Sequence, residues 1–255
     1  MIDTHCHLDT FAEAGEPEAV VARAKAAGVE KMLLAGTRLD DWALYRELAK
    51  KFAGTLFYAV GLHPEHCNED DWREQIFRLE DFADAAVAVG EIGLDNHYSP
   101  DENLRSRQRE AFALQLQIAK KLNLPVIVHA REAFDESVKM IDESGVDWQK
   151  VVFHCFSETP ERIKILNARG GRASFTGTIT YKNAQNVRDS ALAQGLEKLM
   201  LETDAPYLAP CKLRGKRCEP AYIVQTAAFV ADLFGVPVEA IDALTTKNAR
   251  AFFGF

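Results

Sequence analysis

The sequence predicts an α/β fold, a (β/α)8 TIM barrel forming a single domain over residues 1–255. Three observations carry this. Eight short apolar runs are each followed by a segment of helical character, and strands that alternate with helices build a parallel sheet covered on its faces or closed on itself. About 250 residues is the length that eight such units need. No Gly-x-Gly-x-x-Gly follows the first run, which disfavours a doubly wound open sheet.

The elements follow in order. The first run lies in Met1–Asp9, which reads Met-Ile-Asp-Thr-His-Cys-His-Leu-Asp. Alternate side chains of an extended strand share a face, so Asp3, His5 and His7 are expected to point one way. After a short linker, Pro17–Ala27 opens on a Pro suited to a first helical turn and stops at Gly28. Lys31–Gly36 reads as a buried strand. Asp40 is placed to cap a helix running to about Phe52, and Leu56–Leu62 is a strand closing on Gly-Leu-His-Pro. A helix around Asp70–Phe82, a strand over Ala86–Ile92 and a long amphipathic helix over Glu102–Leu122 follow. Pro125–His129 is a strand, Glu132–Glu143 a helix and Val151–Cys155 a strand. Ser157 is placed to cap a helix with Pro160 in its first turn, ending near Gly170-Gly171. Arg172–Phe175 is a weaker strand, Asn183–Ala193 a helix and Leu199–Thr203 the last strand. Helices over Glu219–Phe234 and Pro237–Phe253 finish the chain, and no linker marks a second domain.

Composition narrows the function. Lys and Arg number 30 against 38 Asp and Glu, a net charge of −8. That excludes a passive phosphate-coating protein with a basic surface, but not an enzyme that meets phosphate through bound metal. Five scattered cysteines with no Cys-x-x-Cys suit a reducing, cytoplasmic setting. No basic segment precedes an apolar core at the N-terminus, and no apolar run is long enough to cross a bilayer. Neither a membrane nor an obligate protein partner is expected.

The ionisable residues fall at the ends of the runs. His5 and His7 end the first, His63 the third, Glu91 the fourth, His129 the fifth and His154 the sixth; Asp204 ends the last, beside Glu202. Barrels of this class carry their active site at the C-terminal ends of the strands. His5, His7, Glu91, His129, His154 and Asp204 are therefore expected at one mouth. Mixed His and carboxylate ligation suits Zn²⁺ or Mn²⁺, and Mg²⁺ less well. A metal lowers the pKa of bound water from about 15.7 to near 7, and paired metals clamp attacking and leaving oxygens, as phosphodiester hydrolysis requires.

Asp-Thr-His-Cys-His-Leu-Asp (3–9), Gly-Leu-His-Pro (61–64), Gly-Glu-Ile-Gly-Leu-Asp (90–95), Pro-Val-Ile-Val-His-Ala-Arg (125–131), His-Cys-Phe-Ser (154–157) and Glu-Thr-Asp-Ala-Pro-Tyr-Leu (202–208) occur in this order. This set resembles the TatD family of metal-dependent deoxyribonucleases, part of the broader amidohydrolase-type barrels. The resemblance implies two divalent metal ions, Mg²⁺, Mn²⁺ or Zn²⁺. It puts His5, His7, Glu91 and Asp204 on one ion, with Glu91, His129 and His154 on the other, so that Glu91 bridges them. It implies hydrolysis of DNA, of the 3′–5′ exonuclease type, with some action on RNA. Two positions depart from the family pattern: Cys218 stands where Asn usually precedes Glu-Pro, and Asn96 where an aromatic usually follows the Asp.

Further roles are expected at the mouth. Asp204 would orient or deprotonate the nucleophilic water while touching a metal. Glu202 is either its partner, a proton shuttle or a capping carboxylate. His63 hydrogen-bonds a phosphate, protonates a leaving oxygen or is a turn residue before Pro64. Arg131 clamps a phosphate or makes a helix-start salt bridge. His66 and His97 read as rim residues. Lys212, Arg214, Lys216 and Arg217 form a basic cluster that either steers phosphate or is a solvated face. Tyr207, Tyr181 and Phe156 either stack on an unpaired base or pack locally. The competing functions are an amidohydrolase of a small molecule or aminoacyl ester and a non-catalytic metal-binding barrel. Relatives of the amidohydrolase type often carry a carboxylated Lys where this chain has Glu91, which favours the nuclease.

Overall fold

The computed structural model describes residues 1–99 and 101–255. Strand β1 (Ile2–Cys6) is followed by helices α1 (Asp9–Glu13) and α2 (Pro17–Ala26). Then come β2 (Lys31–Ala35), α3 (Leu39–Lys51), β3 (Leu56–Val60), α4 (Trp72–Phe77), β4 (Ala88–Asp95) and α5 (Glu102–Leu122). The second half runs β5 (Val126–Arg131), α6 (Phe134–Ser144), β6 (Val151–Phe153), α7 (Pro160–Arg169), β7 (Arg172–Phe175), α8 (Gln185–Gln194) and β8 (Met200–Leu201). Helices α9 (Ile223–Phe234) and α10 (Val238–Phe253) close the chain. The eight strands lie in sequence order, each parallel to the next.

The end of β8 returns to β1. Asp204 N–H donates to His5 O at 2.9 Å, His7 N–H to Ala205 O at 2.7 Å and the Thr4 hydroxyl to Leu201 O at 3.1 Å. This is the (β/α)8 architecture that the alternation predicts. One apolar layer fills the space between strands and helices. A second fills the base of the barrel, where Ile2, Leu33, Ala59, Ala88, Ile127, Val152 and Met200 meet Phe252 and Phe253 of α10. The polar residues are thereby confined to the opposite, C-terminal end of the strands.

Local departures have identifiable causes. Asp40 does not cap α3: Arg38 is the first cap residue, and it is the Asp41 carboxylate that accepts the Thr37 N–H (3.1 Å) and hydroxyl. Thr159 rather than Ser157 precedes α7, because Pro160 takes the first helical position. The segment after β1 is a helix, α1, rather than a linker. The register of β1 against β2 shifts between Asp3 and Cys6, so simple alternation fails there. The Asp3 carboxylate stays out of the imidazole cluster and instead accepts the Thr203 N–H (2.9 Å) and hydroxyl (2.5 Å) and the His5 backbone N–H (3.3 Å). Strand β4 runs past Ile92 to Asp95. Among the described residues no single helix is long and apolar enough to cross a membrane. All five cysteines are unpaired.

Candidate functional site

Glu91 is the centre of the mouth. Its Oε1 lies 2.5 Å from His154 Nε2, 2.8 Å from His129 Nδ1 and 3.5 Å from His63 Nε2. Its Oε2 lies 3.2 Å from His5 Nε2 and 3.8 Å from His7 Nε2. Asp204 Oδ1 faces the same pair, 3.4 Å from His7 Nε2 and 3.6 Å from His5 Nε2. The six residues named as ligands from the sequence are thus brought together, from β1, β4, β5 and the turns after β6 and β8. Among the described residues three overlapping sets have ligand atoms within 4.8 Å of one another: His5–His7–Asp204, His5–Glu91–His154 and His63–Glu91–His129. His154 therefore sits nearer His5, and His129 nearer His63, than a simple division into two groups implies.

Backbone and neighbouring groups settle which ring nitrogen faces inward. The Ala35 carbonyl can only accept, so His7 Nδ1–H donates to it at 2.9 Å and turns Nε2 into the mouth. His129 Nε2 lies 3.0 Å from Asp95 Oδ2, directing Nδ1 toward Glu91. His63 is opposite in sense: its Nδ1 accepts the Glu65 N–H at 3.2 Å, so the neutral ring carries its proton on Nε2, which points at Glu91. His5 stacks on His154 with ring centroids 4.0 Å apart, and its buried Nδ1 has no partner.

These residues fit divalent metal. The Nε2 atoms of His5 and His7 are 3.2 Å apart with two carboxylates beside them, and two imidazole lone pairs that close need a shared cation or a proton. The charges respond accordingly. Burial disfavours the charged ring of His7, but Asp204 and Glu91 outweigh it and push its pKa up to about 9. Burial would raise Glu91, yet His154, His63 and His5 hold its carboxyl well below the ordinary range. Burial itself keeps His63 neutral, well below the usual imidazole value.

A cation at His7 Nε2 must displace the proton held there up to about pH 9. Metal loading at pH 7.5 is therefore expected to release protons, and affinity to rise with pH until about 9. Calorimetric titration in buffers of different ionisation enthalpy measures the release; a proton count of zero would contradict this charge balance.

Sequence reasoning missed Asp95. It is buried, binds His129 through Oδ2 and takes the Tyr98 N–H on Oδ1 at 2.8 Å. Carboxylate partners of this kind fix a ligating imidazole. The signal was present: Glu91, Gly93 and Asp95 alternate along one strand. Gly93 has φ +145°, and a Cβ there would lie 1.9 Å from His129 O, so only glycine lets β4 run this close to β5 and reach Asp95. Asp95→Asn is expected to weaken metal binding about 10–100-fold with the fold retained; metal titration against thermal stability reads it.

Glu202 braces the site. Its Oε1 accepts the Cys155 N–H at 2.6 Å and its Oε2 the Ser174 hydroxyl at 2.5 Å; His154 Nδ1 is 3.7 Å away. It ties the ends of β6, β7 and β8 together, the contacts expected of the capping alternative. Asp204 and Cys155 both have left-handed backbone, with φ 55° and 45°. Such strain, on the order of 1 kcal/mol or more each, aims the Asp204 carboxylate inward while its N–H is anchored on His5.

The rim is more varied. The Arg131 guanidinium is exposed and lies over the Tyr98 ring at 4.5 Å rather than in a helix-start salt bridge. Arg214 is exposed over Tyr181 at 5.0 Å. Arg217 is more heavily engaged than Arg214. It donates to Thr10 Oγ1 at 2.9 Å, pairs with Glu16 at 3.4 Å and covers the Phe11 ring at 3.5 Å. These contacts engage its charge on α1 and its flank. Tyr207 is exposed, with its ring 6.3 Å from that of His7. Tyr181 donates its hydroxyl to Ala209 O at 2.9 Å, and Phe156 is buried in the core, so Phe156 offers no stacking surface. His66 pairs with Glu69 and His97 with Glu132, both at 2.8 Å. Of the two departures, Cys218 is buried, its N–H donating to Pro206 O at 3.0 Å, and Asn96 donates its amide to Glu132 O at 3.0 Å.

The chain is similar to known proteins along nearly its whole length. The profile of the family described as TatD related DNase matches residues 2–254. The metal-dependent hydrolase YcfH of Escherichia coli K12 is 36% identical over 256 residues, covering 99% of this chain and 95% of its own. The metal-dependent hydrolase YabD of Bacillus subtilis is 32% identical, covering 99% and 98%. The crystal structure of YjjV, a TatD homologue from Escherichia coli, superimposes with a TM-score of 0.91 at 31% identity, over 100% of this chain and 98% of its own.

Proposed function

Because the chain belongs to the TatD family of metal-dependent hydrolases, we propose that it is a deoxyribonuclease that hydrolyses phosphodiesters of single-stranded DNA, and secondarily RNA, from the 3′ end. The observation that carries the reading is Glu91, a single buried carboxylate facing imidazoles from four strands, with Asp204 opposite. His5, His7 and Asp204 would hold one cation and His129 and His154 a second, Glu91 being shared. Two Mg²⁺, Mn²⁺ or Zn²⁺ ions bound there supply Lewis-acid neutralisation of phosphate charge and an activated water at neutral pH.

The chain's own groups do the rest. Asp204 orients the attacking water and accepts its proton. His63, neutral and protonated on Nε2, donates a hydrogen bond to a phosphate oxygen. That role follows from its tautomer, which disfavours ligation through Nε2. Asp95 and Glu202 position His129 and His154. Lys212, Arg214 and Lys216 are exposed beside the mouth and draw a polyanion toward a chain of net charge −8. Tyr207 offers a ring to an unpaired base. The unpaired cysteines suit the cytoplasm.

Arg214→Glu is expected to raise KM for single-stranded DNA about tenfold with kcat unchanged. Arg217→Glu should leave KM within about twofold, since its charge is already engaged. Equal effects of the two would make the cluster act as one. The proposal is tested with purified protein loaded in turn with Mg²⁺, Mn²⁺ and Zn²⁺ on single-stranded DNA, bis(p-nitrophenyl) phosphate and amides. Hydrolysis of the phosphodiesters alone supports it. Hydrolysis of amides without phosphodiesters would assign the amidohydrolase alternative.

A further inference from the structure

An open cavity of about 500 Å³ lies beside the metal centre, between the turn after β3 and the loop after β4. Glu65, His66, Asn68 and Glu69 form one wall; Tyr98 and Leu104 belong to the other. It adjoins the site directly. Glu65 N–H is the group that binds His63 Nδ1, and the His66 ring is 6.5 Å from that of His63. Tyr98 N–H is held by Asp95, the carboxylate that orients His129.

The walls are locked together. Gln108, fully buried, donates Nε2–H to Pro64 O at 3.2 Å and Ser99 Oγ at 2.7 Å, while its Oε1 accepts the Asp95 N–H at 3.0 Å. One side chain thus spans both walls and the edge of the metal centre. A ligand here would enter a formed cleft, and little ordering would oppose binding.

The lining selects chemistry. Tyr98 is 57% exposed although the Arg131 guanidinium lies 4.5 Å from its ring centroid, so a large part of the side chain is still accessible to a planar partner. Glu69 is occupied by His66 and by Gln75 at 2.7 Å. Glu65 is half exposed, and among the described residues the ion-pair partner of its carboxylate is His63 Nδ1 at 4.0 Å. A second phosphate would meet two carboxylates and be repelled. A flat heterocycle bearing N–H donors would be accepted. Among the bases, only guanine presents two adjacent donors, N1–H and N2–H, to one carboxylate. Adenine and cytosine set a ring-nitrogen acceptor beside their amino group, and thymine flanks its single N–H with carbonyls.

Resting on the nuclease reading, we propose that this cavity is a guanine subsite. The base next to the scissile phosphate stacks on Tyr98 and hydrogen-bonds Glu65, giving the enzyme a sequence preference.

Fluorescence anisotropy with phosphorothioate trinucleotides, which resist cleavage, tests it. Guanine is compared with hypoxanthine, which lacks the N2 amino group, in metal-loaded protein. The guanine oligonucleotide is expected to bind about tenfold more tightly. Glu65→Gln should abolish that discrimination, and Tyr98→Ala should weaken both oligonucleotides about tenfold. Both variants should hydrolyse bis(p-nitrophenyl) phosphate, which has no base, within about twofold of the parent. Equal affinity for the two bases, or discrimination that survives Glu65→Gln, would overturn the subsite while DNA hydrolysis still stood. Failure of the parent protein to cleave any oligonucleotide would overturn the nuclease reading, and the subsite with it.

Discussion

Glu91→Gln is expected to cost at least about a thousandfold in hydrolysis together with the loss of tight metal loading, well beyond the 10–100-fold typical of an outer partner. The reason is that one carboxylate serves every ligand set but one. Both of its oxygens are engaged, Oε1 by His63, His129 and His154 and Oε2 by His5 and His7. Gln keeps the shape but removes the charge that balances those rings, and it offers only one oxygen. The parent protein should gain thermal stability when Mn²⁺ or Zn²⁺ is added, by the mass action of a ligand that binds only the folded state. The variant should not. Metal content by mass spectrometry, thermal midpoint with and without metal, and rate on bis(p-nitrophenyl) phosphate read the three consequences. A variant that retains two ions and a tenth of the activity would remove Glu91 from the bridging position.

Asp204→Asn is the second large effect and differs in kind. Asn adopts left-handed backbone about as readily as Asp, so the φ of 55° at this position is tolerated. The N–H anchor on His5 O also survives. What is lost is an anion facing His5 and His7 and the group placed to take a proton from water. The account expects kcat to fall about 10³–10⁴-fold, toward the upper range for a general base combined with a ligand, while KM changes little. The Glu91–His129–His154 side should still load metal, so content should fall by no more than one ion. Circular dichroism unchanged with kcat lost would confirm a chemical rather than a structural role. Retention of most activity would remove Asp204 from the mechanism.

The barrel was legible because its signal is repeated eight times. Each buried strand is a short apolar run, and six of the eight end on an ionisable residue that does not belong in a core. His129 and His154 are recognisable for that reason, although nothing local distinguishes either from a turn histidine. The limits were just as physical. Alternation places Asp3 with His5 and His7, but a shift of register against β2 hands Asp3 to Thr203. Asp95 was hidden because Gly93 reads as a strand breaker, whereas here the missing side chain is what allows β4 to continue beside His129. Arg217 looks identical to Arg214 in a basic run, yet only the folded chain brings Thr10 and Glu16, some two hundred residues away, against it. Glu202 shows the same limit. Its spacing from Asp204 suggests a partnership, while its oxygens go to Cys155 and Ser174 on neighbouring strands.

The most direct measurement is anomalous scattering at the manganese edge from crystals grown with Mn²⁺. The account predicts two peaks in the barrel mouth, both within coordination distance of Glu91, one against His5, His7 and Asp204 and the other against His129 and His154. Peaks that leave Glu91 uncoordinated, or a mouth without scattering while the protein remains active, would contradict it.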